Sequence, residues 1–222
     1  MTKETSPVTK TSTSMHDDQL EKAIGSAIED LQKHGFKTKK AERYTFGDID
    51  QVKAMFKKAF TMSDKTVTEF QWCDEYDAVC EYLTDTRGRG LAMFGSVGRG
   101  KTIILMYVLP IFFRLAQKIF KPEKARIISL MSRHDLHQFT QRKMIIGIDE
   151  LGRETSANDF GVKHEAIEFI IDECESEMKL LFLTSNMTLR QLEDRYGLHI
   201  RSRVERLCKI VAFTGQDLRP KQ

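Results

Sequence analysis

Apolar residues recur at helical spacing in three stretches near the start of the chain. They predict helices from about Asp17 to Lys33, from Ile49 to Phe60 and from Val67 to Leu83. In the first of these helices, the apolar positions that share one face are Leu20, Ile24, Ile28 and Leu31. Gly35 follows as a helix stop signal.

From Leu91 onward the pattern changes to short, continuous apolar runs that alternate with helical segments. The runs that we predict to be strands are Leu91–Phe94, Arg126–Met131, Met144–Asp149, Leu180–Ser185 and Lys209–Phe213. Apolar strands that alternate with helices are typical of a parallel sheet covered by helices on both faces. The chain is therefore predicted to be an α/β protein.

These elements divide the chain into three predicted parts. Residues 1–16 are rich in Thr, Ser and Lys, and we expect a disordered tail there. Residues 17–62 form a helical N-terminal region, and residues 63–222 form the α/β domain. By position the N-terminal region is a candidate for partner binding, but its helices could equally serve only to cover the sheet.

Composition narrows the class of protein without deciding its function. The 222 residues are 41% hydrophobic, which is enough for one good core. The net charge of +3 permits contact with nucleic acid but does not demand it. The longest apolar run, Ile103–Phe113, is too short to span a bilayer, and the N-terminal stretch lacks an apolar signal core. The four cysteines lack zinc-site spacing, so we expect free thiols and a cytoplasmic protein. We expect no membrane partner.

The segment GSVGRGKT, from Gly95 to Thr102, matches the pattern G-x-x-x-x-G-K-[ST] between a predicted strand and a predicted helix. Glycines let backbone N–H groups approach phosphate oxygens closely, and the following helix directs its positive end at them. Lys101 can reach the β- and γ-phosphates, and the Thr102 hydroxyl can ligate Mg²⁺. The candidate nucleotide-binding residues are Gly95, Ser96, Val97, Gly98, Arg99, Gly100, Lys101 and Thr102.

Polar residues at the ends of two later strands are candidates for the chemistry of hydrolysis. Asp149 can hold magnesium, and Glu150 beside it can orient or deprotonate an attacking water. Asn186 follows another strand and could hydrogen-bond both phosphate and water. The alternatives are an acidic strand end that faces solvent and a plain polar strand cap.

The last third of the chain carries an arginine cluster on two predicted helices. Thr188 and Gln191 stand at capping-box spacing, and Gly197 separates the two helices. The arginines of the cluster are Arg195, Arg201, Arg203 and Arg206. They form either a solvated face or a source of an arginine that is offered to the nucleotide of a neighbouring subunit.

Taken together, these motifs resemble a known family. The segments that carry the resemblance, in order, are GLAMFGSVGRGKT, IIGIDELGRE, DFG, LTSNMTLRQLEDRYGLHIRSRVERL and TGQDLR. They resemble the AAA+ core of the DnaC-type replicative helicase loaders, to which the IstB-type transposition ATPases are related. The resemblance extends from about Gly90 to Arg219.

The resemblance implies a P-loop NTPase fold of AAA+ type, with a five-stranded parallel sheet between helices. It implies that Gly95–Thr102 is the Walker A loop, that Asp149 and Glu150 are the Walker B pair, and that Asn186 is the sensor. The arginine finger falls on Arg203, with Arg201 as the substitute. The implied cofactors are ATP and Mg²⁺, with Thr102 and Asp149 as metal ligands. The implied partners are a replicative DNA helicase, single-stranded DNA and further copies of the chain in an oligomer.

Two other function classes share parts of this pattern. An IstB-like ATPase partner of a transposase would have the same core and differ in its N-terminal partner surface. A small-molecule P-loop kinase would need an acceptor pocket and an arginine-rich lid, which the sequence does not indicate. Basic stretches around Lys37–Arg43 and Lys118–Arg126 could contact nucleic-acid phosphates or be a solvated surface.

Overall fold

The computed structural model describes residues 13–35, 41–63, 70–141, 143–153 and 162–218. In these ranges the elements, in chain order, are α1 (Thr13–Lys33), α2 (Ile49–Ser63), α3 (Asp74–Thr84), β1 (Gly90–Gly95), α4 (Lys101–Ile103), a π-helical turn (Ile104–Val108), α5 (Leu109–Leu115), β2 (Glu123–Lys124), α6 (Ala125–Ile128), α7 (Arg133–Gln141), β3 (Ile145–Leu151), α8 (Val162–Ser176), β4 (Leu180–Ser185), α9 (Leu189–Tyr196), α10 (Leu198–Leu207) and β5 (Cys208–Phe213).

The five strands form one parallel sheet with the order β2-β3-β4-β1-β5. β1 and β4 are almost entirely buried, as the continuous apolar runs predict for strands in the middle of a parallel sheet. β1 and β4 also approach closely, since a Cβ at Gly90 would collide with the backbone of Leu181. The predicted five-stranded parallel sheet is confirmed.

Alternate residues of β1 enter two separate cores on opposite faces of the sheet. Leu91 and Met93 pack on the face that α2, α3 and the π turn cover, whereas Ala92 and Phe94 pack on the face that α8, α9 and α10 cover. This division follows from the two-residue period of a strand. It produces the three-layer α/β arrangement that the sequence pattern predicts.

The chain divides into two compact units, Met1–Lys39 and Lys40–Gln222. The described part of the first unit is α1, on which Leu20, Ile24 and Leu31 are exposed. α2 belongs to the second unit, because its apolar side chains Val52, Phe56 and Phe60 are buried in the core over the sheet.

The compact units thus differ from the predicted grouping of residues 17–62. Residues 49–62 belong to the unit that contains the sheet, whereas α1 belongs to the first unit. α1 begins at Thr13, inside the segment predicted as a disordered tail, while residues 1–12 lie outside the described ranges. Lys37, Lys39, Lys40 and the predicted helix start at Val67 also lie outside them.

One predicted strand is wrong. Residues 126–131 were expected to be a strand, but α6 and a turn occupy this segment, and the edge strand β2 precedes them at Glu123–Lys124. Ala125 and Ile128 are fully buried, while Ile127 and Leu130 are exposed. This burial at a three-residue interval suits a helical turn, and a short apolar run by itself does not distinguish the two structures.

The helix that follows β1 continues through a π turn. Lys101–Leu115 is one helical stretch in which the π turn Ile104–Val108 precedes Pro110. Proline has no N–H to donate to the preceding turn, and π turns are one way in which a helix accommodates such a break. Within the described ranges, no helix is both long and apolar enough to cross a bilayer.

Candidate nucleotide-binding site

The glycine-rich loop joins the carboxyl end of β1 to the helix that begins at Lys101. Gly95, Gly98 and Gly100 all have positive φ, at 114°, 71° and 77°. Residues with a side chain rarely adopt these values, so the turn depends on glycine at all three positions. The loop of Gly95–Thr102 therefore has the strand–turn–helix setting that its motif requires.

Lys101 lies almost completely buried at the base of this loop, with 5% of the residue exposed. Its Nζ donates hydrogen bonds to the carbonyl oxygens of Gly95, at 2.8 Å, and Ser96, at 2.6 Å. Burial lowers the pKa of Lys101 to about 8, although the charge of Asp149 acts in the opposite direction. A desolvated cation held by neutral carbonyl groups is a strong electrostatic attractor for an anion.

The side chain of Asp149 connects the end of β3 to the start of α4 and to the end of β4. Its Oδ1 accepts hydrogen bonds from the hydroxyls of Thr102, at 3.0 Å, and Thr184, at 2.7 Å. The residue is fully buried, and its Oδ2 has no hydrogen-bond partner. A buried carboxylate oxygen without a partner is costly, and this one lies beside the hydroxyl that the motif assigns to magnesium.

These residues fit a bound Mg²⁺. Thr102 and Asp149 supply the hydroxyl and carboxylate oxygens that this ion prefers, and Mg²⁺ sites in proteins commonly use one or two such groups together with phosphate and water. Among the described residues there is no group of three or more His, Cys, Asp or Glu side chains that could hold a metal. Thr102 and Asp149, which the sequence predicts as metal ligands, lie within hydrogen-bond distance of each other.

Glu150 sits on a bulge at the end of β3. Ile148 pairs with Leu183, but Leu151 pairs with Ser185, so β3 has one extra residue at this point. Glu150 has φ of 57°, and its backbone N–H donates to the Thr184 hydroxyl at 2.9 Å. Bulges redirect side chains next to active sites, and here the Glu150 carboxylate accepts a bond from Arg153 at 2.8 Å.

Thr184 was not among the predicted site residues, which named Asn186 at the same strand end. Its hydroxyl both donates to Asp149 and accepts from the backbone of Glu150, so it links the two acidic positions directly. The apolar run LLFLTS indicated a strand end there. It gave no sign of which of its polar residues turns toward β3, because that depends on the bulge.

The other predicted catalytic residues lie in separate places. Asn186 directly follows β4 and is exposed. Arg203, on α10, forms ion pairs with Asp172 at 2.6 Å and with Glu175 at 2.9 Å. The capping box of Thr188 and Gln191 is confirmed at the start of α9.

Two further arginines of the cluster also form ion pairs. Arg201 pairs with Glu193 and Glu205, and Arg206 pairs with Glu175. The open choice between a solvated face and an arginine for a neighbouring subunit therefore stays a prediction.

The fold is similar to several solved structures. A structure of the DnaC helicase loader has a TM-score of 0.55 and 17% sequence identity, covering 69% of this chain and 98% of the loader. A DnaI structure has a TM-score of 0.50 and 18% identity, covering 76% and 95%. AMPPCP-bound DnaA from Aquifex aeolicus has a TM-score of 0.51 and 14% identity, covering 65% of this chain and 48% of DnaA.

At the level of sequence, no protein-family model and no curated protein matches the chain. The likeness is therefore one of fold. The resemblance that the motifs indicate is confirmed at this level: the chain has the AAA+ type of P-loop NTPase fold that the DnaC-type helicase loaders share.

Proposed function

We propose that this protein is a cytoplasmic ATPase that binds ATP with Mg²⁺ and hydrolyses it to ADP and phosphate. The observation that carries the proposal is the buried Asp149 carboxylate, which joins Thr102 of the glycine-rich loop to Thr184 of β4 and keeps one oxygen without a partner. A purely structural carboxylate in that position would be expected to use both oxygens.

The loop binds the phosphates of ATP. Its backbone N–H groups and the start of the following helix supply positive potential, and Lys101 supplies a cation whose charge burial has left poorly solvated. The carbonyl groups of Gly95 and Ser96 hold that cation now, and phosphate oxygens are stronger acceptors for it. The binding energy for ATP therefore comes from the backbone N–H groups of the loop and from the buried charge of Lys101.

Thr102 and Asp149 hold the magnesium ion, which when bound supplies positive charge to the phosphate oxygens. Thr184 keeps the Asp149 carboxylate in position by donating to Oδ1, which leaves Oδ2 available. Glu150 is the group that orients the attacking water and takes its proton. Asn186, at the neighbouring strand end, senses the terminal phosphate, and Arg203 acts on the nucleotide of an adjacent copy.

In the cell we assign this ATPase the work of a DnaC-type loader, which delivers or remodels a replicative DNA helicase on single-stranded DNA. The likeness to DnaC, named as a helicase loader, and to DnaA supports a role in DNA replication over other P-loop chemistry. The exposed apolar residues Leu20, Ile24 and Leu31 of α1 are a suitable surface for a protein partner. An IstB-like role beside a transposase remains the alternative, since it would use the same core.

The test of this function is ATP turnover by the full chain with and without a poly(dT) oligonucleotide. We expect single-stranded DNA to stimulate turnover, and we expect the Lys101→Ala variant to show no activity in either case. A rate of ATP turnover that does not change when the oligonucleotide is added would contradict the role on DNA. An unmodified protein that shows no turnover would contradict the proposed ATPase activity.

Capture experiments separate the two partner classes. Immobilised protein is offered a purified hexameric replicative helicase or a purified transposase. A Leu20→Asp and Ile24→Asp double variant should lose the helicase, whereas Glu29→Gln, on the face of α1 away from these apolar residues, should retain it. Capture of the transposase alone would replace the loader assignment with the IstB-like one.

A further inference from the structure

Arg99 lies within the glycine-rich loop, yet its side chain points away from solvent into an ion pair with Glu75. The Arg99 Nη2 atom lies 2.5 Å from Glu75 Oε2, and the two side chains are only 7% and 11% exposed. Glu75 belongs to the first turn of α3, 24 residues earlier in the chain. The loop is therefore tied to a helix that carries no recognised motif.

The second oxygen of Glu75 binds a third segment, the residues that follow β5. Oε1 accepts hydrogen bonds from the backbone N–H groups of Thr214, at 3.2 Å, and Gly215, at 3.3 Å. Arg99 Nη1 donates to the carbonyl oxygen of Gln216 at 3.0 Å. A Cβ at Gly215 would lie 2.5 Å from Arg99 Cζ, so a side chain at this residue would displace the guanidinium from its present position. We call Glu75, Arg99 and residues 214–216 the loop clamp.

Further contacts from the same two directions hold the backbone of the loop. The Tyr76 hydroxyl donates to the carbonyl oxygen of Arg99 at 3.2 Å, and the Leu218 N–H donates to that of Gly98 at 3.1 Å. The Ser96 N–H donates to Phe213 at 2.6 Å. Each of these bonds depends on α3, on the end of β5 or on the segment after β5 keeping its position against the loop.

Ordering such a loop is costly, because three glycines give the unbound segment many conformations. Contacts that order it before a ligand arrives remove that cost from the binding step. The loop clamp is suited to this task, because its ion pair is nearly buried and one of the two paired side chains, that of Arg99, belongs to the loop itself.

We propose that Glu75 is a positioning residue for nucleotide binding, which acts through Arg99 and the backbone of residues 214–216 to hold the glycine-rich loop in its phosphate-binding conformation. This inference rests on the proposed ATPase function. It also gives Arg99 a definite role: its backbone belongs to the phosphate loop, while its guanidinium serves the clamp and not the phosphates.

The charge state of Glu75 supports a clamp that is constant across the usual pH range. Burial by itself would raise the pKa of Glu75, but hydrogen bonds from its own backbone N–H and from Arg99 lower it to about 2. Both partners are therefore ionised wherever the protein is assayed, and an effect of the clamp does not depend on pH.

The experiment measures the dissociation constants of ATP and ADP by titration calorimetry on the full chain, together with KM and kcat. We expect Glu75→Gln to weaken both nucleotides by about tenfold, the lower end of the range for a lost charge-assisted hydrogen bond. KM should rise in parallel while kcat at saturating ATP stays near that of the unmodified protein. Arg99→Gln should have a similar effect. The double variant should bind nucleotide no more weakly than the single variant with the higher dissociation constant, because both substitutions remove the same contact.

The matched control is Asp77→Asn on the same helix. Asp77 pairs with Lys53 of α2 at 2.5 Å and so tests the loss of an α3 ion pair that does not reach the loop. It should leave both dissociation constants unchanged. If Glu75→Gln unfolds at the assay temperature, Arg99→Lys takes its place, since it shortens the clamp while keeping the charge, and it should weaken both nucleotides by a smaller factor.

The outcomes separate this inference from the function on which it rests. If the unmodified protein binds ATP, Lys101→Ala binds it far more weakly, and Glu75→Gln binds like the unmodified protein, the clamp is refuted and the ATPase stands. Tighter binding in Glu75→Gln would mean that the freed Arg99 contacts phosphate, which also overturns the proposal. An unmodified protein that binds no nucleotide refutes the function itself.

Discussion

The hydroxyl of Thr102 donates a 3.0 Å hydrogen bond to Oδ1 of Asp149, a residue 47 positions later in the chain. This bond connects the start of the helix after β1 to the end of β3, although β4 lies between those two strands in the sheet. Because the strands are parallel, their carboxyl ends lie along one edge, and the loop reaches across it.

Replacing Lys101 by Ala should weaken ATP binding by roughly 100-fold, because it removes a charge-assisted contact of about 2–3 kcal/mol. Titration calorimetry measures the change. Lys118→Ala is the control, since Lys118 pairs with Glu42 outside the loop and should bind ATP normally. Unchanged affinity in Lys101→Ala would disprove the assignment of the loop.

Replacing Glu150 by Gln should leave ATP affinity intact while turnover falls by about 100-fold, the lower range for losing a general base. The measurements are nucleotide binding and steady-state phosphate release. Glu81→Gln, an exposed change on α3, should have no effect on either. Full turnover in Glu150→Gln would remove this residue from the mechanism.

Replacing Thr184 by Val should lower turnover and destabilise the fold by about 1–3 kcal/mol, because it deprives the buried Asp149 carboxylate of a donor and the Glu150 N–H of an acceptor. Denaturant unfolding and phosphate release report the two effects. Thr184→Ser retains the hydroxyl and should restore most of both. If Val and Ser variants behave alike, the hydroxyl has no part in the site.

Replacing Arg203 by Ala should reduce turnover only at protein concentrations at which the chain self-associates. Its effect on stability should be small, about 0–1 kcal/mol, because its ion pairs with Asp172 and Glu175 are partly exposed. Turnover is measured over a concentration series beside sedimentation. Arg206→Ala is the control, as it pairs with the same Glu175. A dilute wild-type monomer that hydrolyses ATP as fast as the oligomer would rule out the arginine finger.

ATP affinity should decrease as the pH rises above about 8. The pKa of Lys101 is lowered to about 8 in the nucleotide-free protein, chiefly by burial, and phosphate favours the protonated amine. Binding above that pH therefore takes up a proton, and the dissociation constant should rise by up to about tenfold per pH unit.

The same shift has the opposite sign for stability. Because the folded protein holds this proton less tightly than the unfolded chain, the cost of the buried charge applies fully below pH 8 and is relieved as the pH rises toward 10.5.

Calorimetry in buffers of different ionisation enthalpy measures the proton uptake that accompanies ATP binding. The Lys101→Arg variant stays protonated, so its ATP affinity should not change over this pH range. A flat pH profile of ATP affinity in the unmodified protein would contradict the prediction.

Several parts of the site could be predicted from local sequence. The loop of Gly95–Thr102 has its residue types at fixed spacing because phosphate contact requires them within one turn, and Asp149 ends an apolar run that was correctly predicted to be a strand. The strand predicted at Arg126–Met131 was wrong because a short apolar run carries no period that separates strand from helix.

The sequence by itself determined the elements whose causes lie within a few residues: the alternation of strands and helices, the capping box at Thr188, and the glycine-rich loop. Only the tertiary structure decided that Thr184 bridges Asp149 and Glu150, and that Glu75 binds Arg99. Those contacts join residues that are 24 to 35 positions apart. A bulge in β3 and the position of α3 against the loop create them, and neither leaves a periodic signal along the chain.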